Sequence, residues 1–363
     1  MRPAVTRRRT RRPPRPGAAV PPKTLAVFTR QLAVMIEAGV PLVQSLDALA
    51  AEEPVRGFAS TLRAVRSDIE GGAGLARAMR RHPRTFDPLY AGIVEAGEAG
   101  GELHTMLGRL ADYIEKRVAL TAQVRSAMAY PAAVLSIAAV VVGVILWRVI
   151  PTFEALFDGL GAVLPLPTRI VIAVSGSFAL IAPLAVLGFP AGAWLLRRYY
   201  ATPRGRRVID GALLRVPVLG GVLRRVAVAR FCRTLSTLLG AGVPILDGLE
   251  LTAGTAGNVV VADAVRRTRA AIERGQPVAA PLAGSRVFPP VVVQMVGVGE
   301  ATGTLDSMLA RVADFYEKEV DTAVAGMTSL LEPVMMAVLG VIVGSIVVAM
   351  YLPVFDLIGR LAR

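Results

Sequence analysis

Residues 94–118 read VEAGEAGGELHTMLGRLADYIEKRV, and residues 296–320 read VGVGEATGTLDSMLARVADFYEKEV. The two copies are identical at 14 of 25 positions, with an offset of 202 residues. A second pair, 28–49 and 231–252, matches at eight of 22 positions with an offset of 203, so one residue is lost between the two blocks. A repeat that keeps order and spacing in this way indicates a duplicated structural unit.

Each copy has the pattern of a small helical bundle. Apolar residues recur at three- and four-residue steps over 28–36 and 103–114, which predicts helices, and no stretch alternates convincingly with a period of two. The sequence AGVP occurs at 38–41 and again at 241–244. There Gly39 and Gly242 suit the left-handed position after a helix, and Pro41 and Pro244 suit the start of the next one.

The composition indicates a membrane protein with sizeable polar parts. Of the 363 residues, 54% are hydrophobic and only 19% are charged, and the mean hydropathy is +0.55. Soluble domains are more charged and disordered chains are less hydrophobic, so both classes are disfavoured. The single cysteine, Cys232, excludes an internal disulfide and a cysteine-based zinc cluster.

Three uncharged stretches are each long enough to cross a bilayer as a helix. They lie between Arg125 and Arg148, between Arg169 and Arg197, and between Glu332 and Asp356, with 22, 27 and 23 residues. The flanking charges predict their orientation, because arginines collect on the cytoplasmic side. Ten arginines lie in 197–233, whereas the segment 151–168 holds only two acids. We therefore expect both large polar regions and the N-terminus to be cytoplasmic.

The N-terminal segment is strongly basic and rich in proline. Seven arginines and no acid occur in the first sixteen residues. No unbroken apolar stretch follows them, so the segment is not a signal peptide. A solvated disordered tail is the simpler interpretation, and contact with anionic lipid headgroups is the alternative.

These observations divide the chain into eight predicted parts. They are a disordered basic arm (1–22), a first cytoplasmic helical domain (23–125), transmembrane helix 1 (126–150), a short periplasmic or external loop (151–169), transmembrane helix 2 (170–196), a second cytoplasmic helical domain (197–327), transmembrane helix 3 (328–353) and an external tail (354–363).

The sequence argues against several chemical functions. It contains no GxxxxGK[ST], HExxH or GxSxG motif, which disfavours nucleotide hydrolysis and the corresponding peptidase and esterase chemistries. Transporters and channels usually carry ionisable groups within their spans, and here there are none. The arginine-rich stretches lack interleaved aromatic residues, so nucleic acid is not an expected partner.

One acidic group requires a choice between two interpretations. Glu95, Glu98 and Glu102 would line one face of a helix, which could hold a cation or perform acid–base chemistry. The second copy has Gly297, Glu300 and Thr304 at these positions, so only the central glutamate recurs. A structural role is therefore favoured, in which Glu98 and Glu300 bond nearby amides or a basic neighbour while Gly97 and Gly299 relax the backbone.

The chain resembles the type II secretion system F family over residues 25–356. The resemblance rests on FTRQLAVMIEAGVPLVQSLDAL, on the AGEAG turn, on YP before the first span and PTF after it, and on the duplication of these features. The second copy departs modestly, with VGE for AGE and EP for YP. The motif positions, expected to serve structure or partner contacts, are Gly39, Pro41, Gly97, Glu98, Gly100, Tyr130, Pro131, Pro151, Gly242, Pro244, Gly299, Glu300, Gly303, Glu332 and Pro333.

This resemblance implies a scaffold without catalytic activity or cofactor, in the bacterial inner membrane. Members of the family serve type II secretion systems and type IV pili, where their cytoplasmic domains are thought to engage a hexameric assembly ATPase. Pilin or pseudopilin subunits, other inner-membrane assembly proteins, the lipid bilayer and further copies of the chain are the other implied partners. A stand-alone transporter or channel component is the alternative.

Overall fold

A computed structural model describes residues 20–159, 164–217, 219–285 and 287–361, and within these ranges every regular element is a helix. The helices are α1 (Pro22–Glu37), α2 (Leu42–Glu52), α3 (Arg56–Glu70), α4 (Leu75–Arg80), α5 (Pro88–Gly100), α6 (Leu103–Val144), α7 (Ile150–Gly159), α8 (Leu166–Tyr200), α9 (Pro203–Leu213), α10 (Leu219–Gly240), α11 (Ile245–Thr255), α12 (Val259–Ile272), α13 (Ala279–Gly284), α14 (Pro290–Thr302) and α15 (Leu305–Leu361).

The described residues form two compact units that do not follow the predicted domain boundaries. Among the described residues, unit 1 draws on 20–121 and 223–319, and unit 2 on 122–222 and 320–361. The two predicted cytoplasmic domains thus belong to one unit, because Leu238 and Ala241 of the second repeat are buried in the core of the first. Residues 197–222, which we assigned to the second domain, belong instead with the apolar helices.

The AGVP turns have the predicted conformation in both repeats. Gly39 and Gly242 follow the ends of α1 and α10 with φ of 79° and 78°, a region that glycine enters without steric cost. Pro41 and Pro244 are the N-cap residues of α2 and α11, each with φ near the value that the proline ring imposes. Each turn reverses the chain so that two amphipathic helices pack against one core.

The two repeats fill their cores differently. In the first, Phe28, Phe58, Phe86 and Tyr90 form one aromatic cluster, with ring centroids 5.0–6.4 Å apart. In the second, the corresponding positions hold a single aromatic pair, Phe231 and Phe288, with centroids 4.6 Å apart, and Tyr316 of the same core contacts the exposed Phe315 instead. Valines 261 and 292 occupy the positions that match Phe58 and Tyr90, and both are buried.

The apolar helices are longer than predicted. The helical stretches Leu103–Phe157 and Leu305–Phe355 are long and apolar enough to cross a membrane. The predicted second span, 170–196, lies inside α8, whose first part, Leu166–Phe178, is also apolar. Several side chains between residues 179 and 187 lie outside the described set.

Three predicted segment boundaries differ from the structure. The expected loop 151–169 is helical through Gly159, and α8 begins at Leu166; the expected tail 354–363 is helical through Leu361. Charged and polar residues mark the ends of a span, but they do not stop a helix. Most of the basic arm, residues 1–19, lies outside the described residues, and α1 already begins at Pro22.

Prolines are tolerated inside these helices. Pro131 lies within α6, and Pro333 and Pro353 lie within α15. Before Pro151 the helix changes to a π-helical turn over Ile145–Val149, and the amide of Ile150 bonds to the carbonyl of Ile145. Such a turn adds one residue to the helix and so accommodates a residue that has no amide hydrogen to donate.

Candidate functional site

The two repeated glutamates bond to backbone amides at the start of a short helix. The carboxylate of Glu98 accepts the amide of Leu75 at 2.5 Å and that of Ala76 at 2.8 Å. The carboxylate of Glu300 accepts the amide of Val278 at 2.8 Å and that of Ala279 at 3.3 Å. The first amides of a helix have no partner within it, so each carboxylate caps α4 or α13 from a distant part of the chain.

The glycines beside these glutamates serve close packing. We expected Gly97 and Gly299 to relax the backbone, but both lie inside helices, without a positive φ. A Cβ on Gly97 would lie 2.9 Å from the Cβ of Met106, and one on Gly299 would lie 3.0 Å from the Cα of Leu305. The missing side chain therefore allows α5 to approach α6, and α14 to approach α15.

The residue with a left-handed conformation after α5 is Gly101, one position after the predicted motif residue Gly100. Gly100 is the last residue of α5, and Gly101 follows it with φ of 71°. Gly303, a predicted motif residue, has φ of 70° at the end of α14. Gly101 was missed by sequence reasoning, although the alignment of the repeats pairs it with Gly303.

The acidic group does not assemble into a cation site. Glu95 forms an ion pair with Arg80, with Nη1 and Oε1 2.9 Å apart, while Glu98 caps α4. Glu102 lies beyond the left-handed Gly101, so the three carboxylates do not share one helical face as predicted. Among the described residues, no group of three His, Cys, Asp or Glu side chains could hold a metal ion.

A second repeated cluster, which sequence reasoning missed, ties the first helix of each repeat to the last. Arg30 bonds to Asp112 and Glu115, with its Nε 2.9 Å from Oε1 of Glu115. Arg233 bonds in the same way to Asp314 and Glu317, with Nε 2.8 Å from Oε1 of Glu317. The residues were visible in the repeat itself, within FTRQL and FCRTL and within ADYIEK and ADFYEK.

Electrostatics and burial distinguish the two clusters. The hydrogen bond from Arg30 lowers the pKa of Glu115, although partial burial opposes this. Burial is the largest single influence on the pKa of Asp314 and acts to raise it, but the hydrogen bonds and charges of Arg233 and Lys116 together outweigh it, so this pKa is lowered. The side chains of Arg233 and Glu317 are only 14% and 16% exposed, against 39% and 46% for Arg30 and Glu115.

Polar contacts join the two repeats within unit 1. Lys116 of the first repeat lies 3.2 Å from Asp314 of the second and also contacts Glu317. The hydroxyl of Thr234 donates to that of Tyr113 at 3.3 Å, and Arg109 donates to the carbonyl of Gly240. These contacts make the cluster around Arg233 part of the face between the repeats.

A groove with a volume of about 670 Å³ lies between α5 and α11 in the same unit. Its walls include Phe86, Ala91 and Ala96 on one side and Val243 and Leu251 on the other. Acidic side chains and one arginine also line it: Asp87, Glu95, Asp247, Glu250 and Arg80. The groove is thus a mainly apolar surface with an acidic border.

Unit 2 contains the remaining predicted motif residues. Tyr130, which is 55% exposed, and Pro131 lie within α6, and Glu332 and Pro333 lie at the matching place in α15. Pro151 lies in the first turn of α7. In the ranges that the structure describes, none of these residues belongs to a group of His, Cys, Asp or Glu side chains that could hold a metal ion.

The apolar helices contact one another through a few polar groups and an apolar cavity. The hydroxyl of Thr168 donates to the carbonyl of Ala349 at 2.5 Å, and that of Ser175 donates to the carbonyl of Leu146. A cavity of about 350 Å³ lies between α6 and α15 and is bordered by Phe178 of α8. Its other lining residues are aliphatic or small: Val134, Leu135, Ala138, Ala139, Val142, Gly143, Met335, Val338, Leu339 and Ile342.

Comparison with known proteins identifies the family. The family described as "Type II secretion system (T2SS), protein F" matches residues 28–151 and again residues 231–353. The chain belongs to this family. The two matches correspond to the two repeats, each with the apolar helix that follows it.

Named relatives of this T2SS protein F family member cover nearly the whole chain. A type IV pilus assembly protein PilC from Myxococcus xanthus is 47% identical over 343 residues, which are 93% of this chain and 81% of the relative. A protein of the same name from Thermus thermophilus is also 47% identical, over 94% of this chain and 84% of the relative. A type II secretion system protein F from Pseudomonas aeruginosa is 34% identical over 92% and 83%.

Proposed function

We propose that this chain is an inner-membrane platform protein of a filament-assembly machine, with both repeats on the cytoplasmic side. In this role it couples a cytoplasmic hexameric ATPase to the insertion of pilin-like subunits into a growing filament, acts beside other inner-membrane assembly proteins and forms oligomers. The family membership and the relatives' names support the assignment, and none of those names denotes an enzyme.

The observation that carries the proposal is the continuity of two helices. Residues 103–121 of α6 belong to unit 1 and residues 122–144 to unit 2, without a break in the helix. In α15 the corresponding parts are residues 305–319 and 320–361. In the proposed role, a movement imposed on the last helix of either repeat passes along the same helix into the apolar part of the chain.

The serines of the spans give no support to a transport pathway. The hydroxyl of Ser136 donates to the carbonyl of Ala132 at 2.6 Å, and that of Ser345 donates to the carbonyl of Ile342 at 2.9 Å. Both hydroxyls therefore use their hydrogen on their own helix. The three uncharged spans are suited to packing against another membrane helix.

Between the two machines, we propose the type IV pilus. The pilus-assembly relatives from two organisms are 47% identical to this chain, whereas the secretion relative is 34% identical at similar coverage. The identity of the co-purifying filament subunits tests this choice directly.

The experiment is purification of the tagged full-length chain from native membranes in a gentle detergent, followed by mass spectrometry. We expect a hexameric assembly ATPase and pilin subunits to co-purify, and the purified chain itself to hydrolyse no ATP. Recovery of the intact chain with neither partner would contradict the proposal. Substrate flux by the chain alone in liposomes, lost on substitution of Ser136 or Ser345, would favour the transporter instead.

Site-directed cross-linking locates the ATPase contact. The native cysteine, Cys232, is fully buried, and burial raises the pKa of its thiol, so it should not react with maleimides. Ala99→Cys introduces a thiol on the groove between α5 and α11, and Arg63→Cys introduces one on the exposed side of α3 as a matched control. Cross-linking to the ATPase from Ala99→Cys but not from Arg63→Cys would assign the groove to that contact.

A further inference from the structure

The segment that follows α8 concentrates positive charge on its surface. Residues 194–217 hold six arginines and one acid, Asp210, which is 2% exposed and accepts a hydrogen bond from the hydroxyl of Tyr200 at 3.0 Å. Five of the arginines are exposed and form no ion pair with any residue that the structure describes. These five, which we term the basic collar, are Arg197, Arg198, Arg204, Arg206 and Arg215.

The collar is a fixed surface, because α9 is held tightly against the end of α8. Thr202 caps α9 by accepting the amide of Gly205 at 3.1 Å. A Cβ on Gly205 would lie 2.0 Å from the carbonyl oxygen of Tyr199, so only glycine permits this turn. The hydrogen bond from Tyr200, at the end of α8, to Asp210, in the second half of α9, also joins the two helices.

The helix α9 also exposes apolar side chains next to the arginines. Val208 is 59% exposed, and Leu213, the last residue of α9, and Val216, which follows the helix, are exposed to a smaller extent. On α8, Trp194 is 60% exposed, and the guanidinium of Arg198 lies 5.5 Å from the centre of its ring. Exposed apolar residues near arginines occur in helices that lie in the membrane interface, where tryptophan and tyrosine are also enriched.

We propose that the basic collar, together with the exposed Val208 and Leu213 of α9, binds the headgroups of anionic phospholipids. The proposal rests on α8 crossing the bilayer, because α9 begins only three residues after α8 ends. Guanidinium groups match phosphate oxygens in two-point hydrogen bonds, and they bind them at the negatively charged cytoplasmic surface. The exposed Val208 and Leu213 favour a lipid over a nucleic acid, since nucleic acid would leave them in water.

The test measures which lipids the full-length protein retains. The chain is equilibrated with mixed micelles of phosphatidylglycerol and phosphatidylcholine in equal amounts, repurified, and its bound lipid is quantified by mass spectrometry. The variant Arg197→Gln/Arg204→Gln/Arg215→Gln removes three collar arginines that make no ring contact. The control Arg63→Gln/Arg77→Gln/Arg311→Gln removes the same charge from exposed arginines of unit 1.

We expect about threefold enrichment of phosphatidylglycerol on the wild type and on the control, and a return to the bulk ratio for the collar variant. Equal enrichment on the wild type and the collar variant would overturn the proposal, as would an equal loss in the control, which would indicate only net charge. The single substitution Val208→Glu, at an exposed position, tests the site without risk to the fold and should also lower the enrichment. Binding of a single-stranded oligonucleotide that depends on the collar, without lipid enrichment, would assign the surface to nucleic acid.

Discussion

The two repeats of unit 1 share their contacts between helices but differ in how they fill their cores. Both keep a glutamate that caps a distant helix, a glycine that allows close packing, and an arginine that bonds to two acids. The first repeat has four clustered aromatic residues where the second has two. The comparison suggests that duplication preserved the contacts that set helix positions, while the volume of the core was redistributed among aliphatic residues.

Substitution of the core aromatic residues should give the largest difference in stability between the two repeats. Phe86→Ala should destabilise the protein by about 3–5 kcal/mol, because it leaves a cavity beside three aromatic rings. Phe288→Ala, which loses one ring contact, should cost less. Thermal unfolding of the full chain in detergent provides the measurement, and Phe189→Ala, at a position that is 81% exposed, is the control. Equal losses of stability in Phe86→Ala and Phe288→Ala would contradict the expected difference between the two cores.

Substitution of the packing glycines should lower the stability less, and again more in the first repeat than in the second. Gly97→Ala and Gly299→Ala should each destabilise the protein by about 1–3 kcal/mol through overpacking. Gly97→Ala should be the worse, because the added Cβ would lie 2.9 Å from the Cβ of Met106 and 3.2 Å from the Cα of Leu103, whereas the closest approach at Gly299 is 3.0 Å, to the Cα of Leu305. Gly100→Ala is the control, since a Cβ there meets nothing within 4 Å. A control that melts as low as Gly97→Ala would contradict the packing argument.

Removal of the capping carboxylates should cost about 1 kcal/mol each. Glu98→Ala and Glu300→Ala leave the first amides of α4 and α13 without their acceptors, and Glu300→Ala should cost more because Glu300 is less exposed than Glu98. Glu102→Ala, at a residue beyond the turn, is the control. We expect impaired filament assembly in step with a lower Tm. If both variants melt like the wild type yet lose ATPase binding, these glutamates contact the partner instead.

The smallest effect should be the acid sensitivity of the Arg30 cluster. The pKa of Glu115 is lowered in the folded protein, so its contribution to stability is complete above the pKa of the unfolded chain and is lost as the pH falls through the folded value. The Tm should therefore decline below about pH 4.5. Arg30→Gln should reduce the slope of Tm against pH there only slightly, since solvent screens a half-exposed pair. If Tm declined more steeply with falling pH in Arg30→Gln than in the wild type, the ion pair would not be what acid removes, and the prediction would be wrong.

The repeat, the helical class and the AGVP turns could be predicted because each depends on neighbouring residues. Glycine at positions 39 and 242 sets a local backbone conformation, and apolar periodicity sets a helical face. The partners of Glu98 could not be predicted, since Leu75 and Ala76 lie more than twenty residues away and no local pattern points to them. The shared face of Glu95, Glu98 and Glu102 was wrongly predicted because a single left-handed residue, Gly101, ends the helix between them.

The predicted segment boundaries and the helix boundaries differ for a related reason. Charge decides which residues enter a bilayer, whereas backbone hydrogen bonding decides where a helix ends. The sequence changes from polar to apolar near residue 125, but α6 runs across this point without a break, from Leu103 to Val144. Boundaries drawn from charge alone therefore divide one helix into two segments.

The π-helical turn at Ile145–Val149 has a consequence for the geometry of the helix that follows it. One additional residue in a turn advances everything downstream by about 100° around the helix axis. The side chains of α7 thus face directions that an uninterrupted continuation of α6 would not give them. Deletion of one residue from this turn would restore a regular helix and rotate Phe153 and Phe157, whose rings lie 6.2 Å apart, together to a different side.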